Sequence, residues 1–114
     1  MKRLEDVKLA PNEREALAEI RRRLFDALSI EQIILFGSVA RGEADEESDI
    51  DLLVVATRPV ARPENDAITR VVFQVNSRFG TNYSAFAIDK QTWEQGIFSI
   101  LPFKQEVLKD GVPV

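Results

Sequence analysis

Two aspartates at the head of an apolar run, Ser48-Asp49-Ile50-Asp51-Leu52-Leu53-Val54-Val55, are the residues whose spacing could do chemistry. Alternate residues of a strand share a face, so an extended chain points Asp49 and Asp51 the same way, with Cα atoms about 6.5–7 Å apart. Leu53 and Val55 continue that face, and Ile50, Leu52 and Val54 occupy the other. Two like charges at the rim of a core repel and lose hydration, and a divalent cation between them relieves both costs. The chain of 114 residues contains no histidine and no cysteine. Imidazole bases, thiol nucleophiles, zinc–thiolate sites and disulfides are therefore excluded, and any bound metal must have oxygen ligands, which selects Mg²⁺, Mn²⁺ or Ca²⁺. Taken alone, Asp-x-Asp reads more simply as a solvated strand entrance that continues the acidic run of Glu43, Asp45, Glu46 and Glu47.

A second feature lies upstream, in Phe36-Gly37-Ser38-Val39-Ala40-Arg41-Gly42. Glycine after a strand permits a close backbone approach or a positive φ. The N–H groups of a following helical turn can cradle a phosphate, Ser38 adds a hydroxyl, and Arg41 adds a cation one turn on. By itself this is an ordinary strand-to-helix turn. Together the two features form Gly-Ser, ten residues, then Asp-x-Asp, spanning the end of one strand and the start of the next.

The elements around these residues follow from periodicity and turn chemistry. Residues 12–28 and 64–79 carry apolar residues at helical spacing and predict two long helices, the second stopped by Gly80. Strands are predicted at 31–36, 49–56 and 82–88, a short helical turn at 38–42, and a loop at 43–48. Short helices at 90–98 and 103–109, split near Pro102, and an edge strand at 111–114 complete a single domain, residues 1–114. The class is α/β or α+β, with helices packed on one face of a small sheet. Arg21-Arg22-Arg23 reads as a solvated helix face, with Glu19 paired to Arg23. Ile97, Phe98, Ile100, Leu101 and Phe103 are more apolar residues than a short terminal element normally buries, which suggests a partner surface or closure of the sheet's open end. The net charge of −4 argues against general nucleic-acid binding. The absence of any long apolar stretch argues against a membrane span, and no apolar signal core precedes Ala10, so a cytoplasmic protein is expected.

The quoted motifs, Phe-Gly-Ser-Val-Ala-Arg-Gly and Ser-Asp-Ile-Asp-Leu-Leu-Val, resemble those of the DNA polymerase β-like nucleotidyltransferase superfamily in its minimal, single-domain branch. The resemblance implies a small mixed sheet with helices on one face. It implies that Asp49 and Asp51 hold Mg²⁺ (or Mn²⁺) on the phosphates of a nucleoside triphosphate, with ATP expected, and that Gly37, Ser38 and Arg41 contact those phosphates. The reaction implied is transfer of a nucleoside monophosphate to a hydroxyl with release of pyrophosphate. Such chemistry depends on positioning and metal-assisted charge stabilisation and needs neither histidine nor cysteine. Minimal members often pair with an all-helical HEPN-domain toxin, and act as antitoxin by placing AMP on a tyrosine of that partner.

The sequence departs from the family pattern at one point. Efficient members carry a third carboxylate early on a later strand, and in Tyr83-Ser84-Ala85-Phe86-Ala87-Ile88 that position falls on Ser84. Asp89 lies five residues further on and reads as a strand end or helix cap. Asp66, in the helix before, has nothing in its spacing to support it. Two readings follow: a Mg²⁺-dependent nucleotidyltransferase acting on a protein partner, and a weak or inactive nucleotide-binding module that neutralises its partner by contact alone. Homo- or hetero-oligomers are compatible with both.

Overall fold

The computed structural model describes residues 2–43, 45 and 48–114, with the side chains of all of these except Ile97 and Phe98. The predicted loop at 43–48 therefore lies partly outside the described residues. Helix α1 (Pro11–Ala27) buries Ala16, Leu17, Ile20 and Leu24 along one stripe. Pro11 takes the first helical position, where its missing N–H is harmless, and the Glu13 carboxylate accepts the Ala10 N–H at 2.7 Å. The second long helix, α3 (Arg62–Phe79), buries Ile68, Val71, Val72 and Val75. It ends where expected, at Gly80, which adopts a left-handed φ of 67°. The two helices are tied end to end, because the Asn12 side chain donates to the Phe79 carbonyl at 3.0 Å.

Strands β1 (Ile30–Phe36), β2 (Ile50–Ala56), β3 (Tyr83–Asp89) and β4 (Val112–Pro113) form one sheet in the order β3-β2-β1-β4. β1 is antiparallel to β2 and β4, whereas β2 and β3 are parallel and joined by α3 as the crossover. The sheet is therefore mixed, and the terminal edge strand forms as expected. Proline is tolerated at position 113 because β4 has only one neighbour.

Alternation along the strands sorts two cores. Ile33, Leu35, Ile50, Leu52, Val54 and Tyr83 pack against α1 and α3. Ile34, Leu53 and Val55 point to the other face, where they meet Trp93 of α4 (Lys90–Glu94) and Val107 of α5 (Pro102–Asp110). The two long helices share one face, as expected, and the short C-terminal helices cover part of the opposite face. Phe103 meets Phe36 edge-on there, with ring centroids 5.5 Å apart. The helix expected at 90–98 stops at Glu94, since Gly96 turns to a φ of 72° and a short 3₁₀ segment, Gly96–Ile100, follows. Of the apolar C-terminal residues, Ile100 is 78% exposed and Phe103 packs on Phe36, while the side chains of Ile97 and Phe98 lie outside the described set.

The arginine run is a partnered surface, as expected, but with different partners. Glu19 pairs with Arg22 rather than Arg23, and Arg22 also reaches Asp26 at 3.7 Å. Arg23 instead donates to Gln74 of α3 at 2.6 Å, and Arg21 lies over the Phe25 ring at 4.7 Å. The packing of α3 beside α1 supplies an acceptor that helical spacing alone does not reveal.

Candidate active site

The C-terminal end of β1 and the N-terminal ends of β2 and β3 lie side by side. The register pairs Phe36 with Asp51, and Asp51 with Ser84. Alternation places these three residues in a row on the face that also carries Leu53 and Val55. Gly37 follows Phe36 directly and takes φ 83° and ψ −161°, a region open essentially to glycine alone. A Cβ at Gly37 would lie 2.4 Å from Asp51 Oδ2. Both reasons for a glycine thus hold at once, the positive φ and the close approach, and the approach is to the carboxylate itself. The one-turn helix α2 (Ser38–Arg41) then starts at Ser38 and closes at Gly42. Arg41 stays 39% exposed, with its guanidinium 3.1 Å from Glu43.

Asp49 lies one residue ahead of β2, not within it as expected. The Asn82 side chain donates to Asp49 Oδ1, and the Ile50 N–H donates to the Asn82 carbonyl at 3.0 Å. The onset of β2 and the set of its first acid are therefore both fixed by Asn82, on the turn between α3 and β3. The sequence places Asn82 at the head of the strand predicted at 82–88 and assigns it no role; β3 begins at Tyr83, and a bond between residues 33 apart in the chain has no local signal. Asp89 takes the expected capping role, accepting the Thr92 N–H at 2.9 Å and the Thr92 hydroxyl at 2.7 Å. These bonds, the hydroxyl foremost, hold its pKa below the usual carboxylate value. Asp66 is exposed on α3, 4.0 Å from Arg62.

Burial raises the pKa of Asp51 above its ordinary 3.8, the charge of Asp49 raises it further, and Arg41 opposes both. Among the described residues neither acid has an ion-pair partner, and no group of three or more His, Cys, Asp or Glu could hold a metal. Two adjacent carboxylates, one partly desolvated and neither in an ion pair among the described residues, fit a hard divalent cation whose remaining ligands come from outside the chain. A carboxyl whose pKa is raised on folding contributes stability that is complete below its unfolded value and lost as pH rises through the folded one. Asp51→Asn is therefore expected to match the wild type near pH 3 and to melt higher than it above the raised pKa, in chelator-treated buffer. Thermal melts of both proteins across that range check this. A variant less stable than wild type at neutral pH would show that the carboxylate makes a net stabilising contact.

The mixed sheet thus sets Asp51, with Asp49 two residues ahead of it, beside the turn at Gly37. Residues 14–109 match the profile of the family described as "Nucleotidyltransferase domain", and the chain belongs to that family. Among curated proteins it is similar to "Putative protein adenylyltransferase MJ1305" of Methanocaldococcus jannaschii, 44% identical over 59 residues, 50% of this chain and 40% of the relative. It is likewise similar to "Putative protein adenylyltransferase MJ0141" of the same organism, 37% identical over 54 residues, 47% of this chain and 50% of the relative. The matched segments thus span half or less of these relatives' length. Among solved structures, one described as "Crystal structure of the toxin-antitoxin with AMP-PNP" superposes with a TM-score of 0.61 at 16% identity, over 91% of this chain and 72% of that one. Another, "Structure of putative minimal nucleotidyltransferase", gives 0.53 at 24% identity, over 89% and 87%. These likenesses show the fold. No helix among the described residues is long and apolar enough to cross a membrane.

Proposed function

We propose that the chain is a Mg²⁺-dependent nucleotidyltransferase that moves AMP from ATP to a hydroxyl of a protein partner. The observation that carries this reading is the contact between Gly37 and Asp51, which brings the Gly-Ser turn onto the acid pair. Asp49 and Asp51 would hold the metal, which when bound supplies charge neutralisation on the triphosphate. Gly37 and Ser38 offer backbone and hydroxyl donors to the phosphates, and Arg41 adds positive charge beside them. The acceptor oxygen forms a bond to the α-phosphorus while the bond to the bridging oxygen breaks and pyrophosphate leaves. The names of the curated relatives support a protein acceptor. The toxin–antitoxin neighbour, together with the family resemblance, supports a HEPN-domain toxin as that partner.

Calorimetric titration of ATP tests the reading. Binding is expected with Mg²⁺, and is expected to vanish both with chelator and in the Asp49→Asn, Asp51→Asn double variant. Undiminished binding by the double variant would sink it.

One observation favours a second reading, a nucleotide-binding module that silences its partner by contact. Ser84 stands directly beside Asp51, where the resemblance calls for an acid, and a serine cannot serve as a base at neutral pH.

A further inference from the structure

β3 forms one edge of the sheet. The Ile50 N–H bonds the Asn82 carbonyl, so the alternation of a parallel ladder turns the even-numbered residues of β3 toward β2 and the odd-numbered ones outward. Asn76 of α3 satisfies the first outward residue completely. Its amide donates to the Tyr83 carbonyl and its oxygen accepts the Tyr83 N–H, each at 2.9 Å. The next two outward residues, Ala85 and Ala87, have no such cover, and among the described residues their outward N–H and C=O groups meet no hydrogen-bond partner. Sheet edges are usually blunted by charge, proline or bulges, yet Tyr83 to Ile88 contains no charged residue, no proline and no glycine. Between the two alanines, on the opposite side of the pleat, Phe86 is 57% exposed.

We propose that β3 pairs antiparallel with β3 of a second copy of this chain, about a two-fold axis at Phe86, making one continuous sheet across the dimer. The free groups are symmetric about that residue. Ala85 faces Ala87 of the second copy and Ala87 faces its Ala85, so all four outward N–H groups find carbonyls. The two Phe86 residues become a non-hydrogen-bonded pair, the closer type, with Cα atoms about 4.5 Å apart and both rings on one face. An apolar groove of about 410 Å³ on that face, lined by Leu53, Phe86, Ile88, Leu101 and Phe103, gives the incoming ring a surface to rest on. Within residues 83–88 no charge opposes another across the axis. The free window is short, closed by Asn76 at Tyr83 and by the turn into α4 at Asp89, and a second copy offers a window of the same length and phase, centred on the same exposed phenylalanine.

Sedimentation analysis of the full chain from micromolar to millimolar concentration tests the pairing. A reversible species of twice the 12.9 kDa chain mass is expected. Ala87→Pro removes one outward N–H per copy without touching the ladder to β2, and is expected to weaken the dimer roughly tenfold or more. The chain has no cysteine, so single replacements report distance against no background. Phe86→Cys lies on the axis within disulfide range and is expected to cross-link under mild oxidation. Ser84→Cys faces Ile88 of the second copy, not itself, and is expected to stay uncross-linked. If Ala87→Pro fails to fold, the cysteine pair alone decides. A chain that stays monomeric throughout overturns the proposal, even if another protein's strand takes the edge, and so does equal cross-linking at positions 84 and 86.

Discussion

Gly37→Ala is expected to abolish Mg²⁺–ATP binding and to lower stability at the same time. The backbone at Gly37, φ 83° and ψ −161°, is one that costs an L-residue about 1–3 kcal/mol. The added methyl would also lie 2.4 Å from Asp51 Oδ2, so the carboxylate or the turn must shift. For a domain of this size each kcal/mol lowers the melting temperature by roughly 4–8 °C. The binding effect is the larger one, because in the proposed function the turn and the acid face the same triphosphate, and a displacement of about 1 Å can forfeit two orders of magnitude in function. Calorimetry and thermal melts on one preparation separate the two effects. Gly80→Ala is the control. That position also has a positive φ, 67°, but nothing lies within 4 Å of its added Cβ. It should lose stability and keep ATP binding. Full ATP binding by Gly37→Ala would mean that the turn does not set the acid.

Ser84→Asp is expected to speed AMP transfer with little change in ATP affinity. The register sets Ser84 against Asp51 on the same face, so an acid there would complete a three-carboxylate row at the strand ends. A restored base or ligand acts chiefly on the transition state, and general-base assistance is worth about 10²–10⁴-fold. Recovery of even part of that is measurable in single-turnover transfer of labelled AMP to the proposed protein acceptor. Rapid transfer by the wild type, unchanged in Ser84→Ala and not raised in Ser84→Asp, would show that another group takes the acceptor's proton. A new carboxylate beside Asp51 also adds a like charge to a site already rich in them, so Ser84→Asp should be less stable than wild type in chelator and recover with Mg²⁺.

Much of the palm was legible in the linear chain because its signals are local. Helical spacing of Ala16, Leu17, Ile20 and Leu24 places α1 on a core, and the apolar run from Leu52 to Val55 reads as a strand buried on both faces. Gly80 as a stop and Asp89 as a cap depend on a residue's own φ or on neighbours within one turn. The Gly-Ser turn and Asp-x-Asp are local as well, and their ten-residue separation was enough to connect them to a known family.

What required the tertiary structure were relations between distant segments. The match of Ser84 to Asp51 depends on parallel pairing of β2 with β3 across a crossover helix, and a one-residue slip would have sent Ser84 to the other face. The hold of Asn82 on Asp49, the capture of Arg23 by Gln74, and the second core under Trp93 and Val107 join residues far apart in the chain. Sequence by itself determined which residues could do chemistry and which segments would be helix or strand, since propensity and periodicity act within a few residues. Only the tertiary structure decided that Gly37 touches Asp51, that Ser84 stands beside it and that the β3 edge is left open, because those facts follow from how strands register and how helices cover the sheet.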